Sequence, residues 1–283
     1  MEAKTSEAVL RTGYFSVEPA KTMQASGYPW PHEIRIALPS TYAEATTRTY
    51  PVLWVTDNQL EAALPSLGNA QLIVVSVGAD TQAGWAFSPR RAYDFYAVDD
   101  ISPGGVFGAF LASKQDGGSS YRGGGAARFL DFLIDDVRPA LAAEYRMDPD
   151  EHGLEGFSAG GWFVVYGLLT RPGAFSKYLA GAPALSFCHK LIFEIEARYA
   201  AQHDDLTGHL FMGAGDGEMT VDPALGCFSS MAAMVELLSF RKYPSLHLTV
   251  KILQGESHHT SRPQLIGAGA RALWDKKIAP PQR

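Results

Sequence analysis

Apolar runs rich in β-branched residues recur along this chain and alternate with segments of helical periodicity. The apolar runs predict strands at 33–38, 52–57, 72–78, 153–157, 178–182, 210–215 and 246–253. The helical pattern predicts helices at 126–145, 162–169, 191–202, 229–241 and 263–276. Strands that alternate with helices favour an α/β fold, in which a mostly parallel central sheet carries helices on both faces.

One long stretch departs from this alternation. Residues 79–125 contain several glycine clusters that interrupt any periodicity, such as those at 104–105 and 123–125. Loops of this length inside a compact domain are uncommon and are usually functional. We therefore expect residues 79–125 to border a substrate site.

The length and composition indicate one domain. The chain has 283 residues, of which 46% are hydrophobic, and this is enough for one large α/β core. No linker rich in Gly, Ser or Pro divides the chain. We expect a single α/β domain over residues 1–283, without a large separate lid domain, and with residues 1–13 as a poorly ordered extension.

Charge and cysteine content exclude several classes of function. The net charge is −6 and no Lys/Arg run is present, which argues against a nucleic-acid partner. Cys188 and Cys227 have no partner at metal-ligand spacing, so we expect two buried reduced thiols and predict no metal site and no cofactor. The N-terminus lacks a secretory apolar core, and no run is long enough to span a membrane. These features predict a cytoplasmic protein with no membrane partner, and none of them indicates an oligomeric state.

The pentapeptide 156–160, Gly-Phe-Ser-Ala-Gly, fits the pattern G-x-S-x-G and lies between a predicted strand and a predicted helix. In a nucleophile elbow a strand turns sharply into a helix, and the serine at the turn adopts a strained conformation. The flanking glycines are needed where a Cβ atom would collide with neighbouring backbone. This context makes Ser158 the candidate nucleophile.

An elbow serine needs a histidine to take its proton and a carboxylate to orient that histidine. In α/β-hydrolases these residues follow in the order nucleophile, acid, histidine, each after a late strand. Asp216 and Glu218 follow the run 210–215, and His258 follows the run 246–253. The candidate base is therefore His258, with His259 as the alternative, and the acid is either Asp216 or Glu218.

The oxyanion that forms during acyl transfer needs preorganised N–H donors. One donor normally belongs to the residue after the nucleophile, here Ala159, and the other to a loop after an early strand. The turn that contains Asn58 follows the predicted strand 52–57 and is the candidate for the second donor. An ordinary turn stabilised by its Asp and Asn side chains is the alternative interpretation of that segment.

Several further segments resemble a known family. They are the segment 123–133, Arg138-Pro139, Tyr145-Arg146, the elbow with Gly160-Gly161, the segment 181–185, and the early segments 36–42 and 50–57. Together they make the chain similar to the esterase branch of the α/β-hydrolases, and within it to the enterobactin esterase-like (ferric siderophore) hydrolases. The resemblance extends from about Trp30 to about Trp274 and implies an α/β-hydrolase fold with Ser158 as nucleophile and His258 as base.

The resemblance also bears on the acid and on the substrate pocket. The family pattern after this strand is a glycine, an acid, a variable residue and a glutamate, and the segment 215–218 matches it, which favours Glu218. In the wider superfamily the acid usually comes three residues after a glycine, here Gly213, which favours Asp216. Phe157 replaces the histidine that is usual in relatives, which implies a pocket of different shape. The candidate substrate-contacting residues are Phe157, Trp162, Arg90, Arg91 and Arg122. The three arginines could serve an anionic siderophore or could be solvated loop residues.

The sequence thus predicts a serine carboxylesterase that hydrolyses a small-molecule ester or lactone through an acyl-enzyme. Acyl transfer with the same triad, and ligand binding without catalysis, are the alternatives.

Overall fold

The computed structural model describes residues 10–78, 89–101 and 122–274. Its strands are β1 (Leu10–Thr12), β2 (Phe15–Val17), β3 (Lys21–Met23), β4 (His32–Pro39), β5 (Tyr50–Thr56), β6 (Ile73–Gly78), β7 (Met147–Phe157), β8 (Lys177–Gly181), β9 (Gly208–Gly215) and β10 (Leu246–Leu253). They form one sheet in the order β1-β2-β4-β6-β5-β7-β8-β9-β10, and β3 pairs with β4.

The sheet is parallel from β6 through β5, β7, β8 and β9 to β10, whereas β1 to β4 join it in antiparallel pairs. Every residue of β5, β6 and β8 is buried. Burial on both faces is the usual state of parallel strands, because helices cover both sides of the sheet. The predicted strands are all present, with ends shifted by one or two residues and a longer β7.

The helices are α1 (Leu60–Leu67), α2 (Pro89–Phe95), α3 (Ala126–Asp131), α4 (Arg138–Ala142), α5 (Ala159–Thr170), α6 (Leu191–Ala200), α7 (Cys227–Arg241) and α8 (Arg262–Trp274). The short elements β1, β2, β3, α1 and α2 were not predicted. They are brief and have little periodicity of their own, and Pro65 lies inside α1.

Strand β7 shows that helices lie on both faces of the sheet. A Cβ atom on Gly153 would meet the Trp274 ring of α8, whereas one on Gly156 would meet the backbone of Gly160 in α5. Residues three apart on a strand point to opposite faces. Helices α5 and α8 therefore cover opposite sides of the sheet.

The helix predicted over 126–145 is divided into α3, a π-helical turn at Phe132–Val137 and α4. The Arg138 N–H donates to the Leu133 carbonyl, five residues earlier. Pro139 follows directly and has no N–H to donate. The loss of that donor accounts for a change of hydrogen-bond register at this point.

The predicted loop 79–125 and the predicted N-terminal extension lie largely outside the described residues. Within the predicted loop 79–125, residues 89–95 form α2, and residues 79–88 and 102–121 lie outside the described ranges, as do residues 1–9 of the predicted N-terminal extension. Within the described ranges, every helix is too short or too polar to span a membrane.

Cys188 and Cys227 are buried and not joined by a disulfide.

Candidate active site

Ser158 lies in a sharp turn between the end of β7 and the start of α5, with φ 59° and ψ −115°. A positive φ is uncommon for any residue with a Cβ atom and costs energy. The turn is held on both sides of the serine. The Ser158 N–H donates to the Gly181 carbonyl at 2.9 Å, and its carbonyl accepts the N–H groups of Trp162 and Ala184, each at 3.0 Å. The surrounding backbone thus fixes the strained conformation and leaves the side chain half-buried.

The glycines around Ser158 allow the close approach that this turn requires. A Cβ atom on Gly156 would lie 2.3 Å from the carbonyl group of Gly160. A Cβ atom on Gly160 would lie 2.5 Å from Thr56 Oγ1, and one on Gly161 would lie 2.8 Å from the Pro183 backbone. Only glycine fits at these three positions without a shift of the backbone or of β5. The geometry is that of a nucleophile elbow.

A histidine and a carboxylate meet at the same edge of the sheet. Glu218 lies in the short turn Asp216–Met219 after β9, and His258 lies in the loop after β10. His258 Nδ1 lies 3.1 Å from Glu218 Oε2, and both side chains are buried. Since Glu218 faces Nδ1, that nitrogen carries the proton and Nε2 is the basic atom. The other carboxylate oxygen, Oε1, accepts the Gly215 N–H at 3.3 Å and fixes the orientation of the carboxylate.

The alternative acid and base have different surroundings. Asp216 Oδ1 accepts the Gly255 N–H at 2.7 Å and so ties the turn after β9 to the turn after β10. The side chain of His259 is 78% exposed, and its Nε2 atom lies 3.8 Å from Asp222 Oδ1. The structure therefore brings His258 together with Glu218 and does not bring Asp216 to the imidazole.

Phe157 connects the elbow to this pair. Its ring centroid lies 4.8 Å from that of His258, and only 7% of its surface is exposed. The ring therefore packs against the imidazole and restricts its position, and it offers little area to a substrate.

The turn after β5 lies against the elbow. Asp57 and Asn58 both have positive φ values, 73° and 51°. The Cβ position of Gly160 lies 3.5 Å from Asp57 Oδ2, so this turn adjoins the N-terminus of α5, where Ala159 lies. The Asn58 side chain is buried and donates to Glu33 Oε2 at 3.1 Å, which holds the turn from its other side. The two backbone segments predicted to supply N–H donors are therefore adjacent.

Residues 26–277 match the family described as "Putative esterase". The chain belongs to this esterase family. The family resemblance seen in the sequence is thereby confirmed, and the match includes every residue of the site described above.

This chain has named relatives that are esterases. It is 24% identical to the ferri-bacillibactin esterase BesA of Bacillus subtilis over 201 residues, which cover 70% of this chain and 66% of BesA. It is 27% identical to a siderophore enterobactin esterase of Emericella nidulans over 188 residues, which cover 60% of this chain and 58% of that enzyme. The chain therefore matches less than two thirds of the length of either relative.

A solved structure confirms the predicted α/β-hydrolase fold. The siderophore hydrolase EstA from Aspergillus nidulans superposes with a TM-score of 0.75 at 20% identity, covering 96% of this chain and 98% of EstA.

Arg91 joins the elbow to the turn after β5. Its Nε atom donates to Asp57 Oδ1 at 2.5 Å, and its Nη2 atom donates to Asp57 Oδ2 at 2.9 Å and to the Phe157 carbonyl at 3.1 Å. The Asp57 side chain is 2% exposed and that of Arg91 is 12% exposed. One guanidinium group thus links the residue before Ser158 to the residue before Asn58. Sequence reasoning missed this role, because it depends on a contact between segments far apart in the chain.

The other predicted substrate contacts have different outcomes. Trp162 has no exposed surface and packs against Tyr96 and Tyr166, so its prediction as a substrate contact is wrong: a side chain buried under two other rings offers no surface to a ligand. Arg91 is committed to Asp57 and offers little surface to a ligand. Arg90 lies over the Trp30 ring at 5.4 Å, and Arg122 forms an exposed ion pair with Asp99.

A second buried charge lies on the opposite face of β7 from Gly156. Glu155 has no exposed surface, and neither of its carboxylate oxygens accepts a hydrogen bond from the described residues. The nearest cation is Arg262 at the start of α8, with Nη2 3.6 Å from Glu155 Oε2. Burial raises the pKa of the Glu155 carboxyl to about 7, while Arg262 opposes the rise and the Asp57 charge adds to it. Sequence patterns gave no signal for this group.

The glycine contacts predict opposite effects of one substitution at two positions. Gly156→Ala places a Cβ atom against the Gly160 carbonyl, and overpacking of this kind should lower the free energy of unfolding by about 1–3 kcal/mol or more. Gly167→Ala, inside α5, meets its nearest atoms at 3.5 Å, which is ordinary contact. It should raise the free energy of unfolding by up to about 1 kcal/mol, because alanine favours a helix over glycine. Urea unfolding of both variants tests this, and equal effects would contradict the packing argument.

The buried Glu155 predicts a pH dependence of stability. Its pKa is raised in the folded state, so the folded protein binds more protons than the unfolded chain between about pH 4.5 and 7. The free energy of unfolding should therefore fall as pH rises through this range, by at most about 3 kcal/mol from this group. Glu155→Gln should flatten that part of the profile, as measured by urea unfolding at several pH values.

The matched control is Glu236→Gln, which removes the same charge from an exposed position on α7. An equally flattened profile in that control would show that net charge, not the buried carboxyl, causes the dependence.

Proposed function

We propose that this protein is a serine carboxylesterase that works through an acyl-enzyme, with Ser158, His258 and Glu218 as its triad. The observation that carries the proposal is the 3.1 Å contact between His258 Nδ1 and Glu218 Oε2, made at the edge of the sheet where β7 turns into the elbow. Membership of the esterase family supports the same reaction class.

In the proposed reaction Ser158 Oγ attacks the carbonyl carbon of the ester, and its proton passes to His258 Nε2. The Glu218 carboxylate stabilises the imidazolium that forms, because it already accepts a hydrogen bond from Nδ1. The imidazolium then gives its proton to the departing alcohol, which leaves an acyl-Ser158 ester. Water attacks this ester, with His258 again as the base, and releases the acid.

The oxyanion of each tetrahedral intermediate is stabilised by the N–H of Ala159 and by the turn that contains Asn58. Ala159 lies at the N-terminus of α5, where backbone N–H groups have no carbonyl partner within the helix. Arg91 acts as a positioning residue, since its bonds to Asp57 and to the Phe157 carbonyl set the separation of the two donor segments.

For the substrate we propose an ester or lactone bond of a siderophore. BesA is named for ferri-bacillibactin and the Emericella enzyme for enterobactin, which supports this class. Of the three candidate arginines, Arg122 is exposed, and Arg90 is half-buried and is not engaged by Asp57 as Arg91 is. We propose Arg90 and Arg122 as the contacts for an anionic ligand.

The nucleophile is tested with Ser158→Ala. Loss of the attacking oxygen should lower kcat by about 10⁴- to 10⁶-fold, with unchanged thermal unfolding as evidence of an intact fold. Ser229→Ala, at an exposed position on α7, is the matched control and should retain the wild-type rate. The rates are measured on p-nitrophenyl esters from acetate to octanoate and on bacillibactin and enterobactin, with and without Fe³⁺.

The two parts of the proposal can fail separately in this experiment. Retention of the rate by Ser158→Ala would exclude the serine mechanism. Hydrolysis of p-nitrophenyl esters without hydrolysis of either siderophore would exclude these siderophores and leave the esterase mechanism in place.

The acid is tested by removing one charge from each candidate. Glu218→Gln should lower kcat by about 10²- to 10⁴-fold, because the imidazolium loses its stabilising charge and the tautomer is no longer fixed. Asp216→Asn keeps a carbonyl oxygen for the Gly255 N–H and should change kcat only a few-fold. Steady-state kinetics on one ester compares the two variants, and the reverse ranking would assign the acid to Asp216.

A further inference from the structure

A thiol lies beside the His258–Glu218 pair. Cys227 begins α7, is 2% exposed, and comes from a different element than either of the other two residues. One carboxylate oxygen of Glu218, the Cys227 sulfur and one nitrogen of His258 all lie within 4.8 Å of one another. Spacing in the sequence gave no sign of this cluster, since the turn after β9, helix α7 and the loop after β10 bring the three residues together.

These three atoms form a donor set suited to Zn²⁺. Thiolate sulfur, imidazole nitrogen and carboxylate oxygen are its usual ligands, and three protein ligands leave a fourth position for water. With Zn–S near 2.3 Å and Zn–N and Zn–O near 2.0–2.2 Å, the ligand atoms of a tetrahedral site lie roughly 3.5 Å apart. His258 Nδ1 and Glu218 Oε2 are already 3.1 Å apart, and the sulfur, within 4.8 Å of the other two ligand atoms, needs to approach by no more than about 1.3 Å.

The local charges favour a cation at this position. The carboxylates of Glu218 and Asp222 both act on the Cys227 sulfur, and both are negatively charged. The same two carboxylates that oppose a thiolate attract a dication, which in turn stabilises the thiolate. Asp222 Oδ2 is buried and accepts no hydrogen bond from the described residues, so its charge is incompletely compensated.

We propose that Glu218, Cys227 and His258 form an inhibitory Zn²⁺ site that overlaps the catalytic pair. The metal replaces the proton on His258 Nδ1, and the neutral imidazole then carries its proton on Nε2. The thiol proton is released to solvent, so one proton leaves for each Zn²⁺ bound. Since Nε2 has no free lone pair in this state, it cannot accept the proton of Ser158. The inhibition rests on the proposed esterase function, whereas the binding of metal does not.

Binding is tested with Co²⁺ as a spectroscopic probe of thiolate ligation. The wild-type protein should show a thiolate-to-Co²⁺ charge-transfer band, and Zn²⁺ should displace it. The band should be lost in Cys227→Ala and in Cys227→Ser. Serine is close to cysteine in size, so loss of the band in the serine variant cannot be attributed to a cavity that unfolds the protein. Cys188→Ala, which removes the other buried thiol, is the matched control and should retain the band.

Inhibition is tested with Zn²⁺ on a p-nitrophenyl ester, each variant being compared with its own uninhibited rate. The Zn²⁺ concentration for half inhibition should rise at least about tenfold in both Cys227 variants, and a chelator should restore the wild-type rate. The same concentration for wild type and the Cys227 variants, or a wild type without the charge-transfer band, would overturn the proposal. In that case, relief of inhibition by His259→Asn would assign it to the exposed His259–Asp222 pair. A charge-transfer band in a protein that hydrolyses no ester would support the metal site and reject the esterase function.

Discussion

The backbone of Ser158 depends on the close contact between α5 and the strands beneath it. A residue with a Cβ atom at φ 59° is strained, and the conformation persists only where its surroundings determine it. Here β8 supplies the carbonyl of Gly181, and the segment after it supplies the N–H of Ala184. Gly156 and Gly160 let the helix approach until their backbones touch. The absence of a side chain at Gly156 and at Gly160 therefore allows the serine to project from the sheet.

Two buried ion pairs surround the same strand end, and their geometries differ. Arg91 meets Asp57 with two hydrogen bonds and adds a third to the Phe157 carbonyl, so the charges compensate one another. Glu155 and Arg262 lie 3.6 Å apart without a hydrogen bond between them. A buried charge without hydrogen bonds is costly, which agrees with the raised pKa of Glu155. The first pair therefore fixes the geometry of the elbow, whereas the second reduces stability at neutral pH.

The sequence predicted those features that depend on local pattern or chain order. Buried parallel strands appear as continuous apolar runs, and the elbow and the residues after β9 and β10 follow the chain order of the superfamily. The choice between Asp216 and Glu218 stayed open, because both lie within three residues of the strand and only their orientation separates them. The structural roles of Arg91, Glu155 and Cys227 gave no signal, since each acquires its surroundings through contacts with distant segments. Trp162 was misjudged for a related reason: its position near Ser158 in sequence does not reveal that other aromatic rings bury it completely.

The arrangement of charges around His258 links catalysis to metal binding. An imidazolium forms in the proposed transition state, and a buried carboxylate at Nδ1 stabilises that positive charge. A negative potential that favours an imidazolium also favours any other cation that can reach the same atoms. In most surroundings a carboxylate and one imidazole are too few ligands to hold a divalent metal firmly. Cys227 supplies a third donor of the kind that Zn²⁺ prefers, and it lies buried beside the other two. The presence of Cys227 therefore decides whether the negative potential around His258 only stabilises the imidazolium or also binds a metal ion.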